Sequence, residues 1–170
     1  MKPKVITYIW FDSGAEEAVK FYKNVFGDNL VVGNAAPYLV DTPSNKPIGS
    51  VMTVEFELFG QKFALLNGGP FFKPSEAISF MIECRDQKEV DAYWDALSSD
   101  PNAEACGWLK DKYGISWQIV PKGLDEMLAS GDRLAAARVM KAILGMKKIV
   151  LADLEKAFRG YDADSLRKAG

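Results

Sequence analysis

Hydrophobic and polar positions recur along this chain with two periods, near two and near 3.6, and the switches between them outline its elements. Residues 5–11 are β-branched and aromatic, which predicts a strand. Asp12-Ser13-Gly14 interrupts the run. Over residues 15–27 the apolar positions Ala18, Phe21 (or Tyr22), Val25 and Phe26 return at three- and four-residue intervals, one face of a helix. Ser13 is placed to cap it, with Glu16 as the capping-box partner and Gly27 as the stop. Residues 29–39 are strand-like but broken by Gly33 and Pro37, and residues 41–49 read as a loop. In residues 50–59, Thr53, Glu55 and Glu57 alternate with Met52, Val54, Phe56 and Leu58. A tight turn at Gly60-Gln61 returns the chain through residues 62–67, and Gly68-Gly69-Pro70 ends the hairpin. This first segment reads β-α-β-β-β.

The pattern then restarts. Residues 77–84 predict a strand, and Asp86 caps a helix from residue 87 to about residue 97. Glu89 is its capping-box partner, and Val90, Tyr93, Trp94 and Leu97 form its apolar stripe. A polar turn at 98–102 leads to a strand at 103–109, and a turn at 111–114 leads to another at 115–120. A β-α-β-β(-β) unit therefore occurs twice, its first strands about 70 residues apart, and such open modules bury their sheets by pairing. After Pro121 the period becomes helical, over 124–129 and from 134 to about 159. Ala135, Val139, Ile143 and Met146 are core candidates there, despite the interior Gly145. Lys147, Lys148, Asp153, Glu155 and Lys156 form a solvated face, which leaves the apolar side for a dimer contact. The final stretch is weaker, with 162–166 a short helix or a frayed end.

Composition narrows the function classes. With 170 residues the chain is one domain or two small repeated modules. The net charge of −2 argues against nucleic acid, which normally calls for a basic excess. No apolar run reaches membrane-span length, no signal-peptide pattern opens the chain, and two cysteines are too few for a disulfide scaffold, so the expectation is a cytoplasmic protein. There is no histidine. That removes imidazole bases, the Ser-His-Asp triad and His-dependent metal sites.

Several segments carry a family likeness. Trp10-Phe11-Asp12 followed by Ala15-Glu16-Glu17-Ala18, Phe21-Tyr22 and Phe26 resembles the opening of the PhnB-like branch of the glyoxalase/bleomycin-resistance (vicinal oxygen chelate) superfamily. Gly60-Gln61-Lys62-Phe63, Leu66-Asn67-Gly68-Gly69-Pro70 and the long run Cys106-Gly107-Trp108-Leu109-Lys110-Asp111-Lys112-Tyr113-Gly114-Ile115-Ser116-Trp117-Gln118-Ile119-Val120-Pro121 are similar to the same branch. The likeness spans about residues 4–155, and members are often labelled 3-demethylubiquinone-9 3-methyltransferase. It implies an α+β fold of two tandem βαβββ modules, residues 1–74 and 75–122, with a helical C-terminal extension at 123–170. It also implies curved sheets lining a cavity, and homodimers that often exchange modules or helices. In metal-using relatives four strand positions supply ligands. By motif register they fall here on Thr7, on Leu65 or Asn67, on Ser79 and on Gln118. Hydroxyls and amides without imidazole or carboxylate are weak ligands for a divalent ion, so no metal and no cofactor is expected. A class I methyltransferase site is not expected either: Pro70 and Pro74 prevent a helix from opening after the glycines, and the repeated module is not a doubly wound sheet.

The ligand-pocket candidates are Thr7, Asn67, Ser79, Cys106, Trp108, Lys110 and Gln118; no catalytic residue is assigned. Alternation sets Trp108 and Cys106 on one face and Gln118 opposite Trp117, so only one of Trp117 and Gln118 lines the cavity; the family register favours Gln118. Asn67-Gly68-Gly69 offers an amide and bare N–H groups to an anion, or is a plain turn. Cys106 and Cys84 read as small buried hydrophobes before nucleophiles, and Glu55 and Glu57 as a solvated strand face before an acid–base pair. The functional expectation is a homodimer that binds a small organic molecule in a metal-free cavity. A metal-independent lyase, isomerase or dioxygenase-like enzyme and a structural or regulatory homodimer are the alternatives.

Overall fold

The computed structural model describes residues 4–160; the expected terminal helix at 162–166 lies outside them. The chain divides into two compact units, Met1–Ser75 and Glu76–Gly170.

The first unit holds β1 (Thr7–Phe11), α1 (Ala15–Phe26), β2 (Leu30–Pro37), β3 (Val51–Leu58) and β4 (Gln61–Asn67). Its sheet has the order β1-β4-β3-β2, with β1 parallel to β4 and the other pairs antiparallel. The alternation read in β3 holds: Val54, Phe56 and Leu58 are buried, with Phe63 and Leu65 of β4, under Ala15, Ala18, Val19, Tyr22 and Phe26 of α1. Phe56 stacks on Phe63 at 5.1 Å and meets Tyr22 at 6.3 Å. Gly33 falls within a register shift of β2, where a Cβ would stand 3.0 Å from the Glu55 carbonyl oxygen. The hairpin turn is at Phe59-Gly60, one residue earlier than expected. Both have positive φ (49° and 81°), as a two-residue type I′ turn requires.

Local sequence misplaces the start of α1. Ser13 does not cap it; Gly14 holds the N-cap position at φ 83° with no side-chain cap of its own. The acceptor comes from the end of β4, where Asn67 Oδ1 takes the Ala15 N–H at 2.9 Å. Glu16 faces the same amide, accepting from Asn67 Nδ2 at 2.9 Å.

The second unit holds β5 (Phe80–Cys84), α2 (Gln87–Leu97), β6 (Trp108–Lys110), β7 (Ser116–Pro121), α3 (Leu124–Leu128), α4 (Arg133–Leu144) and α5 (Leu151–Arg159). The sheet order is β5-β7-β6, again parallel then antiparallel. Asp86 caps α2 as its sequence implies, accepting from the Glu89 N–H at 2.9 Å, while Glu89 accepts from the Arg85 N–H at 2.7 Å. The strand expected over 103–109 contracts to β6. Cys106 and Gly107, with φ of 54° and 86°, form a second type I′ turn between Ala105 and Trp108, and the chain reverses there.

The expected long C-terminal helix is two. α4 stops at Gly145, and the connector to α5 is held by distant groups. The Met146 and Lys147 carbonyls accept from the Cys106 and Gly107 N–H groups at 2.8 Å each. Gln87 donates to the Ile149 carbonyl (3.0 Å) and accepts from the Leu151 N–H (2.8 Å), capping α5. Arg138 caps its other end through the Ala157 and Phe158 carbonyls (2.7 and 2.8 Å). Val139, Ile149 and Leu154 form one buried cluster with Val120 and Leu124. Part of the apolar side of the extension is therefore buried within the second unit itself, while Leu134, Met140 and Leu144 of α4 remain exposed.

Candidate functional site

The second sheet has a face under α2 and a far face. Leu109, Trp117, Ile119, Ile82 and Cys84 are buried on the α2 side with Val90, Trp94 and Leu97. Alternation then sends Met81, Trp108, Lys110, Ser116 and Gln118 to the far face. Gln118 pairs across the sheet with Trp108 on one side and Met81 on the other; Ser116 pairs with Lys110. Gln118 Nε2 donates to Ser79 Oγ at 2.8 Å. Ser79, Trp108, Lys110 and Gln118, four of the seven expected pocket residues, are thus brought together, and Trp117 faces away from them.

The hairpin presenting these residues is organised by one buried carboxylate. Asp111 Oδ1 accepts from the Tyr113 and Ile115 N–H groups at 2.8 and 3.1 Å, and Oδ2 accepts from Trp117 Nε1 at 2.9 Å. Much of the distinctive Lys110-to-Trp117 run is therefore scaffold: an aspartate turn that fixes β6 against β7 and anchors the indole of the core.

Two polar groups, one on the far face and one that meets it from outside the sheet, were not evident in the sequence. Ser116 is 2% exposed and its Oγ has no hydrogen-bond partner, although a buried hydroxyl normally has one. Counting back two positions from Gln118 would have found it. Glu76 forms an ion pair with Lys110 Nζ. That hydrogen bond, then its own backbone N–H and the lysine charge, hold the Glu76 carboxyl below its usual range. No sequence pattern links it to Lys110.

The other three candidates stand elsewhere. Thr7 pairs with Phe63 on the α1 side of the first sheet, and its hydroxyl accepts from Gln61 Nε2 at 3.3 Å. It belongs to that helix-bearing face because it shares the pleat of Ile9 and Phe11. Asn67 is a structural amide: besides Ala15 and Glu16 it bonds the Val51 carbonyl (2.9 Å), so both its N–H donors are used, and its own carbonyl accepts from Tyr38 Oη at 2.6 Å. Cys106 occupies the type I′ turn, where alternation from Trp108 no longer applies.

The glycines after Asn67 serve Trp10. A Cβ on Gly68 would lie 2.3 Å from the indole, Trp10 Nε1 donates to the Gly69 carbonyl at 2.7 Å, and Phe72 meets the ring edge-on at 4.9 Å. The Gly68 N–H bonds the Phe11 and Leu66 carbonyls and the Gly69 N–H that of Asp12, so the turn reading holds over the anion nest. Cys84 is fully buried, and burial first, with Glu89 and Asp86 adding, pushes its thiol up to about 12. Glu55 and Glu57 lie on the far face of the first sheet, Glu55 exposed.

The metal set of the superfamily does not fit these residues. Thr7 is on the helix side of its sheet, and Ser79 and Gln118 are neutral groups bonded to each other. Among the described residues no group of three or more His, Cys, Asp or Glu is arranged to hold an ion. No helix among them is long and apolar enough to cross a membrane.

Parallel-plus-antiparallel sheets, each backed by a helix that follows its first strand, define a glyoxalase/bleomycin-resistance-like α+β protein. The family model described as 3-demethylubiquinone-9 3-methyltransferase matches residues 3–120, and the chain belongs to that family. A putative 3-demethylubiquinone-9 3-methyltransferase, PhnB protein, from Bacillus cereus is similar in structure at 29% identity and a TM-score of 0.57, over 70% of this chain and 99% of that one. Protein PA1353 from Pseudomonas aeruginosa shares the fold at 17% identity and a TM-score of 0.52, over 70% of this chain and 97% of its own. No curated protein matches. The likeness to the PhnB-like branch read from the sequence is borne out, but α3, α4 and α5 lie beyond the residues the family model covers.

Proposed function

We propose that this protein binds a small organic molecule on the far face of its second sheet, without a metal ion. The observation that carries the reading is the patch where the Trp108 indole lies across the sheet from an amide bonded to a hydroxyl, Gln118 to Ser79. An aromatic surface beside a few fixed polar groups suits a planar ligand bearing oxygen atoms. Methyl transfer is not the activity these residues favour. The Gly68 and Gly69 N–H groups are already bonded to carbonyls, and the sheet is not doubly wound. Enzymatic proton transfer is not favoured either, because the one strongly shifted thiol, Cys84, moves away from neutrality and lies on the α2 side.

The same reading takes the protein as a cytoplasmic homodimer. Both thiols are unpaired, as in a reducing compartment. The outward side of α4 exposes Leu134, Met140 and Leu144 beside Arg133 and Lys141, and these apolar positions support a contact with a second copy. Sedimentation at micromolar concentration checks this, with a dimer expected; a monomer there removes it.

The ligand reading is tested by native mass spectrometry of undialysed protein, followed by 1H–15N spectra titrated with 4-hydroxyacetophenone. Shifts at the Trp108 indole and Gln118 side-chain amide, lost in Trp108→Ala, are expected. Shifts that avoid this face altogether would sink the reading.

A further inference from the structure

We infer that the ligand of this face is an organic anion, a carboxylate or phenolate on a planar apolar body, and that Glu76 is an internal stand-in which the ligand displaces from Lys110. The inference rests on the binding reading above and adds the charge and the polar partners of the ligand.

Two independent observations carry it. The first is Lys110, whose side chain emerges from β6 on the far face two residues beyond Trp108 and is 24% exposed. Its ammonium is held by Glu76, whose side chain is 64% exposed and comes from the segment before β5, outside the sheet. A carboxylate already on Lys110 shows that the position accepts one, and so exposed a pair holds within about fivefold of no interaction, which makes it cheap to replace. The second is Ser116, directly across the sheet from Lys110. Its hydroxyl is buried with no partner, although it has both a donor and an acceptor to satisfy. A buried hydroxyl in this state has room for one further hydrogen bond, which a water or a polar atom of a ligand supplies. Two strand positions further along, Gln118 and Trp108 supply an amide and an aromatic surface on the same face. A cation, an orphan hydroxyl, an amide and an indole in a two-by-two array define a head-and-body site: charge at the Lys110–Ser116 end, a flat apolar body at the Trp108–Gln118 end. No base or nucleophile is needed for this, and none of these side chains is invoked as one.

The probes are sodium benzoate and its neutral isostere benzamide, titrated into the 15N-labelled full chain at constant ionic strength, with sodium chloride as the control anion. Benzoate is expected to bind about tenfold more tightly than benzamide, one charge-assisted hydrogen bond in place of a neutral one. Glu76→Gln frees Lys110 and should tighten benzoate about fivefold while leaving benzamide unchanged. Lys110→Gln should erase the preference, Lys110→Arg should retain it, and Ser116→Ala should weaken benzoate severalfold. Equal binding of both probes, with Glu76→Gln inert, overturns the anion inference and leaves the small-molecule reading standing. Shifts from sodium chloride equal to those from benzoate overturn the anion inference too. Absence of shifts on this face with either probe overturns both.

Discussion

The two modules are built on one pairing scheme and spend their polar residues differently. Counting from the parallel pairs, Tyr8, Ala64 and Glu55 of the first sheet correspond to Met81, Gln118 and Trp108 of the second, and the pair Lys62–Glu57 corresponds to Ser116–Lys110. In the first module the Asn-Gly-Gly segment is consumed by structure, Asn67 capping α1 and Gly68 making room for Trp10. In the second the helix is capped from its own sequence by Asp86. Its far face is left with a lysine paired to an exposed carboxylate and a hydroxyl with no partner. The edges differ too. The first sheet has β2 beyond β3, whereas the N–H groups at the turn into β6 are paired by the Met146–Lys147 connector of the extension. A module satisfied in its own polar groups is scaffold; the one with an unmet hydrogen bond is where a ligand is to be sought.

The contrast can be broken at its strongest point. Asp111→Ala orphans two backbone N–H groups and the Trp117 indole together, and should cost about 4 kcal/mol in urea titrations, with near-ultraviolet dichroism of Trp117 lost first. Next in size, Asn67→Ala removes a helix cap and leaves the Val51 carbonyl unpaired, for about 3 kcal/mol, against about 1 kcal/mol for Asp86→Ala. Hydrogen exchange should place the first loss in α1 and the strands it touches, and confine the second to α2. Equal and local effects would show that the two caps are equivalent after all.

Cys84 gives a pH-dependent term. Its folded value of about 12 lies above its ordinary 9.0, so the fold favours the neutral thiol. Its contribution is complete below about pH 9 and is lost as pH rises toward 12, by about 1.4 kcal/mol per pH unit. Urea midpoints of Cys84→Ala against wild type should therefore converge or cross above pH 9, and parallel curves would refute the shift. The smallest effect expected is at the second type I′ turn. Cys106→Asn places a residue suited to positive φ at φ 54° and should stabilise by about 0.5 kcal/mol, whereas a pocket role for Cys106 predicts a loss of benzoate binding instead.

Most of the architecture was legible because it rests on short-range pattern. Alternation in β3, the stripe of α2 and the Asp86 cap are each written within about a dozen residues, and the doubling of the module is the same local pattern met again about 70 residues later. The errors share a cause. Ser13 is a reasonable cap until Asn67, on another strand, reaches the helix first. Gly145 is a tolerable interior glycine until the carbonyls after it find Cys106 and Gly107. The proposed site divides in the same way: Gln118, Trp108 and Lys110 were candidates by register and motif, while Ser116 and Glu76 were not, since neither an unmet bond nor an ion pair across 34 positions of sequence has a local signature.

The sequence by itself determined the periods, the repeat, the family and the want of an imidazole, because each is carried by residue identity and spacing along the chain. Only the tertiary structure decided which polar groups are spent and which remain available, because a hydrogen bond depends on which donor and acceptor the finished fold holds about 3 Å apart, however far apart they stand in the sequence.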